Sequence, residues 1–206
     1  PCYPIYFPVQ ALASGIRKPS GETWIGVPGE VTRQRRDYST LLESLLQWGI
    51  GSPIRFILLG RIPHDERKWL NQLFAEYPAL TDHVTCFDCF VPVPLFHAYL
   101  AVCDAIMPLI HPSVPSFADY LHHKVTGAFN IAFAYRKPLI LERSFRHVHD
   151  FQDPSTVFYT AEAMDDKFFR QLVDRIHAAG RVAFRAAKWT FAHRQQQYLA
   201  LIFDLR

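Results

Sequence analysis

Glycine and positive charge fall together at two places in this chain. The first is Gly29-Glu30-Val31-Thr32-Arg33-Gln34-Arg35-Arg36-Asp37-Tyr38. A planar guanidinium matches the oxygens of a phosphate, and a helix beginning at Tyr38 would add unpaired amides and a partial positive charge. That combination is a phosphate clamp, with Gly29, Arg35 and Arg36 as its candidates. The second place is His122-His123-Lys124-Val125-Thr126-Gly127-Ala128-Phe129-Asn130. Thr126 caps the helix that follows, while Gly127 and Ala128 leave its first turn bare for an anion, and Lys124 adds a point charge beside it. The competing reading is that two of the three arginines face water and that Thr-Gly is an ordinary cap.

Such residues act only if strands and helices bring them to one rim. Short apolar runs read as strands at Trp24–Val27, Ile54–Gly60, Val84–Phe87, Ala105–Ile110, Leu139–Leu141 and Thr156–Tyr159. Segments of helical spacing separate them: Tyr38–Trp48, stopped by Gly49 and Gly51, then about Asp65–Glu76, Val93–Val102, Gly127–Tyr135 and Asp165–His177. A parallel strand pair needs a crossover, and these helices supply it. The expected fold is therefore α/β: a Rossmann-like, doubly wound parallel sheet of about six strands with helices on both faces and a long C-terminal helix. Ligands of such sheets sit beyond the carboxyl ends of the strands. Here those ends are the loops Gly29–Arg36, Gly60–His64, Phe87–Pro94 and His111–Thr126.

Three units are expected: residues 1–23, rich in Pro and Gly, as a linker or peripheral extension; 24–180 as the ligand-binding domain; and 181–206 as a last helix. That helix, from about Val182 to Phe203, carries Trp189, Tyr198 and Phe203 beside Arg185 and Arg194. It reads as core-packing with a solvated basic face; the alternatives are docking on a missing half or peripheral contact with a membrane surface.

The chain has 206 residues, half of them apolar, and a net charge of +3 spread along its length. That balance gives nucleic-acid binding little support. No run approaches the roughly 18 to 20 apolar residues of a membrane span. Four cysteines, with Cys86-x-x-Cys89 unaccompanied by a second pair, fit neither a disulfide framework nor a zinc site, and imply free thiols in a reducing cytoplasm. The histidines lack helical metal-ligand spacing, so no metal or other cofactor is expected. No Gly-x-Gly-x-x-Gly, P-loop or Gly-x-Ser-x-Gly is present, which removes the usual signals of dinucleotide enzymes, NTPases and hydrolases. The start at Pro1, without Met or leader, suggests a piece of a longer protein.

The order of several stretches resembles the C-terminal domain of GT-B retaining glycosyltransferases. They are Val27-Pro28-Gly29 with Arg35-Arg36-Asp37-Tyr38; Phe56 to Arg61; Phe96 to Leu100 with Cys103 to Leu109; and Lys124 to Ala128 through Ala134 to Ile140. The resemblance spans residues 24 to about 180. It implies the donor-binding half of a transferase that moves a sugar from a nucleotide-diphosphate sugar to a saccharide or cell-envelope glycan precursor. The acceptor domain would be a missing N-terminal half, so the chain alone would be inactive; the location implied is the cytoplasm, at the inner face of the membrane.

By position, Gly29, Arg35, Arg36, Lys124, Thr126, Gly127 and Ala128 would face the diphosphate. Gly60, Arg61 and Phe87 would lie near the nucleoside, with Phe87 opening the loop to Phe90. Many retaining members place one glutamate before this helix and one inside it; here those places fall at His123 and Ile131. Asp119, Asn130 or Glu142 would have to serve the sugar or ribose instead. The alternative is a non-catalytic nucleotide-binding or structural α/β module that has lost the acidic pair.

Overall fold

In a computed structural model, residues 15–48, 53–124 and 126–204 are described. The expected stops at Gly49 and Gly51, the first part of the linker and Val125 lie outside them.

Six parallel strands form one sheet in the order β3-β2-β1-β4-β5-β6. They are β1 (Thr23–Pro28), β2 (Ile54–Leu59), β3 (Val84–Thr85), β4 (Ala105–Ile106), β5 (Leu139–Glu142) and β6 (Thr156–Tyr159). The crossovers are α1 (Tyr38–Trp48), α2 (His64–Glu76), α3 (Val93–Val102), α4 (Phe117–His122), α5 (Gly127–Tyr135) and α6 (Asp166–Gly180). The period of two along each strand divides the core. Ile25, Phe56 and Ile140 pack with Leu41 of α1, Leu70 of α2 and Phe169 of α6. Leu59, Ile106 and Leu139 pack on the other face with Leu100 of α3 and Phe129 and Phe133 of α5. Strands buried on both sides must be apolar throughout, which is why β2 reads as a continuous run.

β3 stops at Thr85, short of the expected Phe87, and three further expectations on extent need correction. β4 stops at Ile106, not Ile110, because Pro108 has no amide to donate and Leu109 takes a positive φ of 54°. The carbonyls freed there turn to the loop after β1. The stretch 111–126, read as loop throughout, contains α4, about a turn and a half whose Ser116 makes no side-chain capping bond to the helix. The last helix, α7 (Phe191–Asp204), starts nine residues later than Val182, since Phe184 adopts a φ of 44° that no helix admits. Core packing ends before it: Ala183, Phe184 and Trp189 are buried, with Trp189 stacked on Phe133 at 4.3 Å, while Phe203 is 61% exposed. No helix among the described residues is long and apolar enough to cross a membrane.

Residues 15–22 lie against the domain; Lys18 pairs with Asp104 at 2.5 Å and Ile16 packs on the α5 side of the core.

Candidate functional site

The order of strands reverses at β1, which has β2 on one side and β4 on the other. Crossovers leave such a point in opposite directions, so a crevice opens at the carboxyl ends of the strands. The loops after β1 and β2 continue the sheet's pairing into it: Gly29 donates to the Leu59 carbonyl at 3.0 Å and Val31 to the Arg61 carbonyl at 2.9 Å. They approach so closely that a Cβ on Gly60 would overlap the carbonyl oxygen of Gly29. Gly29 itself has a φ of +113°, and its missing side chain leaves the space that the Arg36 guanidinium fills.

Arg36 is only 7% exposed. One guanidinium nitrogen donates to the carbonyl of Pro108, one of those released where β4 ends. Among the described residues no carboxylate pairs with it. Its backbone neighbour Asp37 donates its amide to the Leu109 carbonyl at 2.9 Å, and its side chain meets His111 Nδ1 at 3.0 Å. Burial alone would raise the Asp37 carboxyl. Hydrogen bonds from His111, Thr40 and Ser113 outweigh that and hold it far below the ordinary carboxylate range. Tyr159 closes the network on His111 Nε2 at 2.5 Å, and burial pushes its hydroxyl well above the usual value, so it stays protonated.

Across the crevice stands the start of α5. Thr126 is its cap, accepting from the Ala128 amide at 3.4 Å. Two connected lobes open between these walls, both bordered by Gly29, Glu30, Arg36, Thr126 and Gly127. One, of about 520 Å³, runs beneath Gly60, Arg61 and Ala128 to an apolar wall of Phe90, Val91, Val93, Phe96 and Ile131, with His97 among them. The other, of about 570 Å³, is polar, and Arg35, Ser116, Tyr120, His123 and Lys124 complete it.

All seven residues expected to face a diphosphate therefore border one crevice, as do Gly60 and Arg61. The other four fall outside its lining. Phe87 packs edge-on to Tyr99 at 5.2 Å, and Phe90, from the end of the same loop and 65% exposed, lines the wall instead. Asp119 pairs with Lys124 at 2.5 Å, and that bond lowers its carboxyl. Asn130 lies on α5 away from the crevice, its side-chain oxygen buried without a partner. Glu142 is buried at the end of β5, where it accepts from the Ser144 amide at 2.6 Å and borders a separate hollow with Arg143 and Arg146. Arg33, the third arginine, pairs with Glu66 at 2.9 Å and lies over Trp69. Sequence reasoning did not single out His97, whose Nδ1 meets the Tyr135 hydroxyl, or Glu30, which is held by Arg61. A lone histidine in the otherwise apolar α3 was the available signal. Among the described residues no group of three or more His, Cys, Asp or Glu is arranged to hold a metal. The thiols of Cys86, Cys89 and Cys103 are free, and burial pushes that of Cys103 up to about 12.

No family model and no curated protein matches this sequence. Solved structures do. HepE of Anabaena, crystallised in complex with UDP, superposes with a TM-score of 0.62 at 13% identity, over 89% of this chain and 49% of that one. The C-terminal domain of LpcC, a glycosyl transferase group 1 family protein of Francisella tularensis, gives 0.57 at 11% identity over 80% of this chain and 83% of that one. Sucrose-phosphate synthase of Thermosynechococcus elongatus gives 0.58 at 20% identity over 91% and 46%. The chain thus spans about half the length of HepE and of the synthase. Strand order, crevice and superpositions agree that this chain has the fold of the C-terminal domain of a GT-B glycosyltransferase.

Proposed function

We propose that the crevice binds a nucleotide-diphosphate sugar through its diphosphate and that the chain is the donor-binding half of a glycosyltransferase. The observation that carries this reading is Arg36: a buried guanidinium with a carbonyl partner and no carboxylate. An ion taken out of water needs a counter-charge, and a diphosphate over Gly29 and the bare turn Gly127–Ala128 supplies it. The apolar wall at Phe90, Val91 and Phe96 gives a flat base a surface to lie on. Solved structures of HepE in complex with UDP, and with UDP and glucose, are consistent with such a ligand.

In the reaction, the bond between the sugar's anomeric carbon and the diphosphate breaks and one to an acceptor hydroxyl oxygen forms; the nucleoside diphosphate departs as leaving group and takes up the proton that the hydroxyl loses. Negative charge grows on the departing diphosphate, where Arg36, Lys124 and the α5 amides offset it without a metal. The acceptor, a saccharide or glycan precursor, would be held by a further half of the protein, and the site of action is the cytoplasm at the membrane's inner face.

Calorimetric titration with UDP and GDP tests the binding step: saturable binding that weakens in Arg36→Ala and Lys124→Ala is expected, and its absence for both nucleotides refutes the reading. A second reading, a nucleotide-binding module without turnover, draws on His123 and Ile131, which border the two lobes where acidic residues were expected. Donor turnover by the protein together with its acceptor half separates the two.

A further inference from the structure

We propose that the polar lobe is a second anion subsite: beside the diphosphate it takes another negatively charged group, either a carboxylate on the transferred sugar or a phosphate on the acceptor. This rests on the nucleotide-sugar reading and says what the neighbouring group must be.

The argument is one of donors and acceptors. A neutral sugar presents hydroxyls, each of which donates as well as accepts, so a lobe built for it needs side-chain acceptors. This lobe has few. Arg35 and Lys124 only donate, and Arg36 faces it from the floor. The Ser116 hydroxyl gives its proton to the Gln34 carbonyl at 3.2 Å, so toward the lobe it offers only neutral lone pairs. Glu30 is the one carboxylate of the lining, and both the Nε of Arg61, at 3.1 Å, and its terminal nitrogen already hold it. Asp119, just outside the lining, is committed to Lys124. His123 and Tyr120 can donate as well as accept, so the sign of the lobe is set by its cations.

Arg35 decides the sign of the preference. It is exposed at the lobe and has no ion-pair or hydrogen-bond partner for its side chain among the described residues. Its planar fork suits a two-oxygen acceptor, which a carboxylate or a phosphate offers and a hydroxyl does not. The Lys124–Asp119 pair is solvent-exposed on both sides and so weakly held that an anion in the lobe can draw the lysine to itself. Apolar and polar lobes meet at Gly29, Thr126 and Gly127, so a ligand with its base on the Phe90 wall and its diphosphate at Arg36 extends its far end into this donor-rich space.

The test is a calorimetric comparison on the full chain. UDP and GDP are titrated first; if neither binds, the nucleotide reading fails and takes this inference with it. On the base that binds, the hexose and hexuronate conjugates are compared: UDP-glucose with UDP-glucuronate, or GDP-mannose with GDP-mannuronate. A sugar carboxylate in the lobe predicts binding of the hexuronate tighter by about tenfold, shrinking to within about threefold in Arg35→Gln. An acceptor phosphate predicts instead that inorganic phosphate binds saturably to the nucleotide-loaded chain and that Arg35→Gln abolishes this. Because Arg35 is exposed, the variant keeps the fold, and the ratio of two ligands cancels any general loss of nucleotide affinity. Equal affinity for hexose and hexuronate, together with no phosphate binding to the loaded chain, overturns the proposal while leaving nucleotide binding intact.

Discussion

Replacing Arg36 by Met separates a ligand-binding cation from a structural one, because the two roles predict opposite signs. The side chain is 93% buried by its exposure of 7%, has no carboxylate partner among the described residues, and bonds one carbonyl, that of Pro108. Desolvating an unpaired guanidinium costs several kcal/mol even after relaxation, whereas the lost bond leaves a carbonyl whose desolvation costs about 1–3 kcal/mol. Met fills a similar volume without charge. The variant should therefore be as stable as the parent or more so, read as an unchanged or raised midpoint in urea. Ligand binding moves the other way. Truncating one member of a buried charge pair costs roughly 2–4 kcal/mol, which corresponds to a loss of roughly 30- to 700-fold in UDP or GDP affinity. Isothermal titration at fixed ionic strength measures it. A variant destabilised by more than about 2 kcal/mol that binds the nucleotide as before would refute the reasoning, since Arg36 would then be a peg between two loops.

Two further perturbations probe the floor beneath it. Gly60→Ala puts a Cβ into the Gly29 carbonyl, a backbone atom that has no rotamer to yield; the β1 and β2 loops must separate, with a loss of about 2 kcal/mol or more in urea unfolding and weaker nucleotide binding. Asp37 has a depressed carboxyl, so its share of stability is present above its unfolded value near pH ~4 and disappears as pH falls below that. Asp37→Asn should flatten the decline in unfolding free energy below about pH 4, and an unchanged acid slope would count against the network.

Much of this arrangement was legible in residue order. Strong apolar runs at β1, β2 and β5 announced a buried parallel sheet, and Arg35, Arg36 and the Thr126–Ala128 turn were placed on the same rim because strand ends in a doubly wound sheet share one edge. What escaped was set by contacts distant in sequence. The early end of β4 comes from Leu109's positive φ and from carbonyls claimed by Arg36 and Asp37, some seventy residues back, and no local pattern encodes that exchange. Likewise Glu142 looked available because its backbone position was visible, while its hydrogen bond to the next turn was not. Phe87 and Phe90 are alike by composition; only the path of their loop decides which turns to the crevice and which packs on Tyr99.

The same exchange explains how a buried cation is held in register. Tyr159 keeps its proton and its hydroxyl bonds His111 Nε2, while His111 Nδ1 meets the Asp37 carboxylate. Thr40 and Ser113 fill further lone pairs of that carboxylate, at 2.8 and 2.7 Å. Asp37 is thus tied to the loop after β4 by both its side chain and its amide, and the adjacent Arg36 extends over Gly29 to the Pro108 carbonyl of the same loop. A fixed guanidinium loses little further entropy when an anion arrives, so the chain meets in folding the ordering cost that binding would otherwise carry. The arrangement is self-consistent only with Gly at 29, since any side chain there would occupy the space that the guanidinium fills.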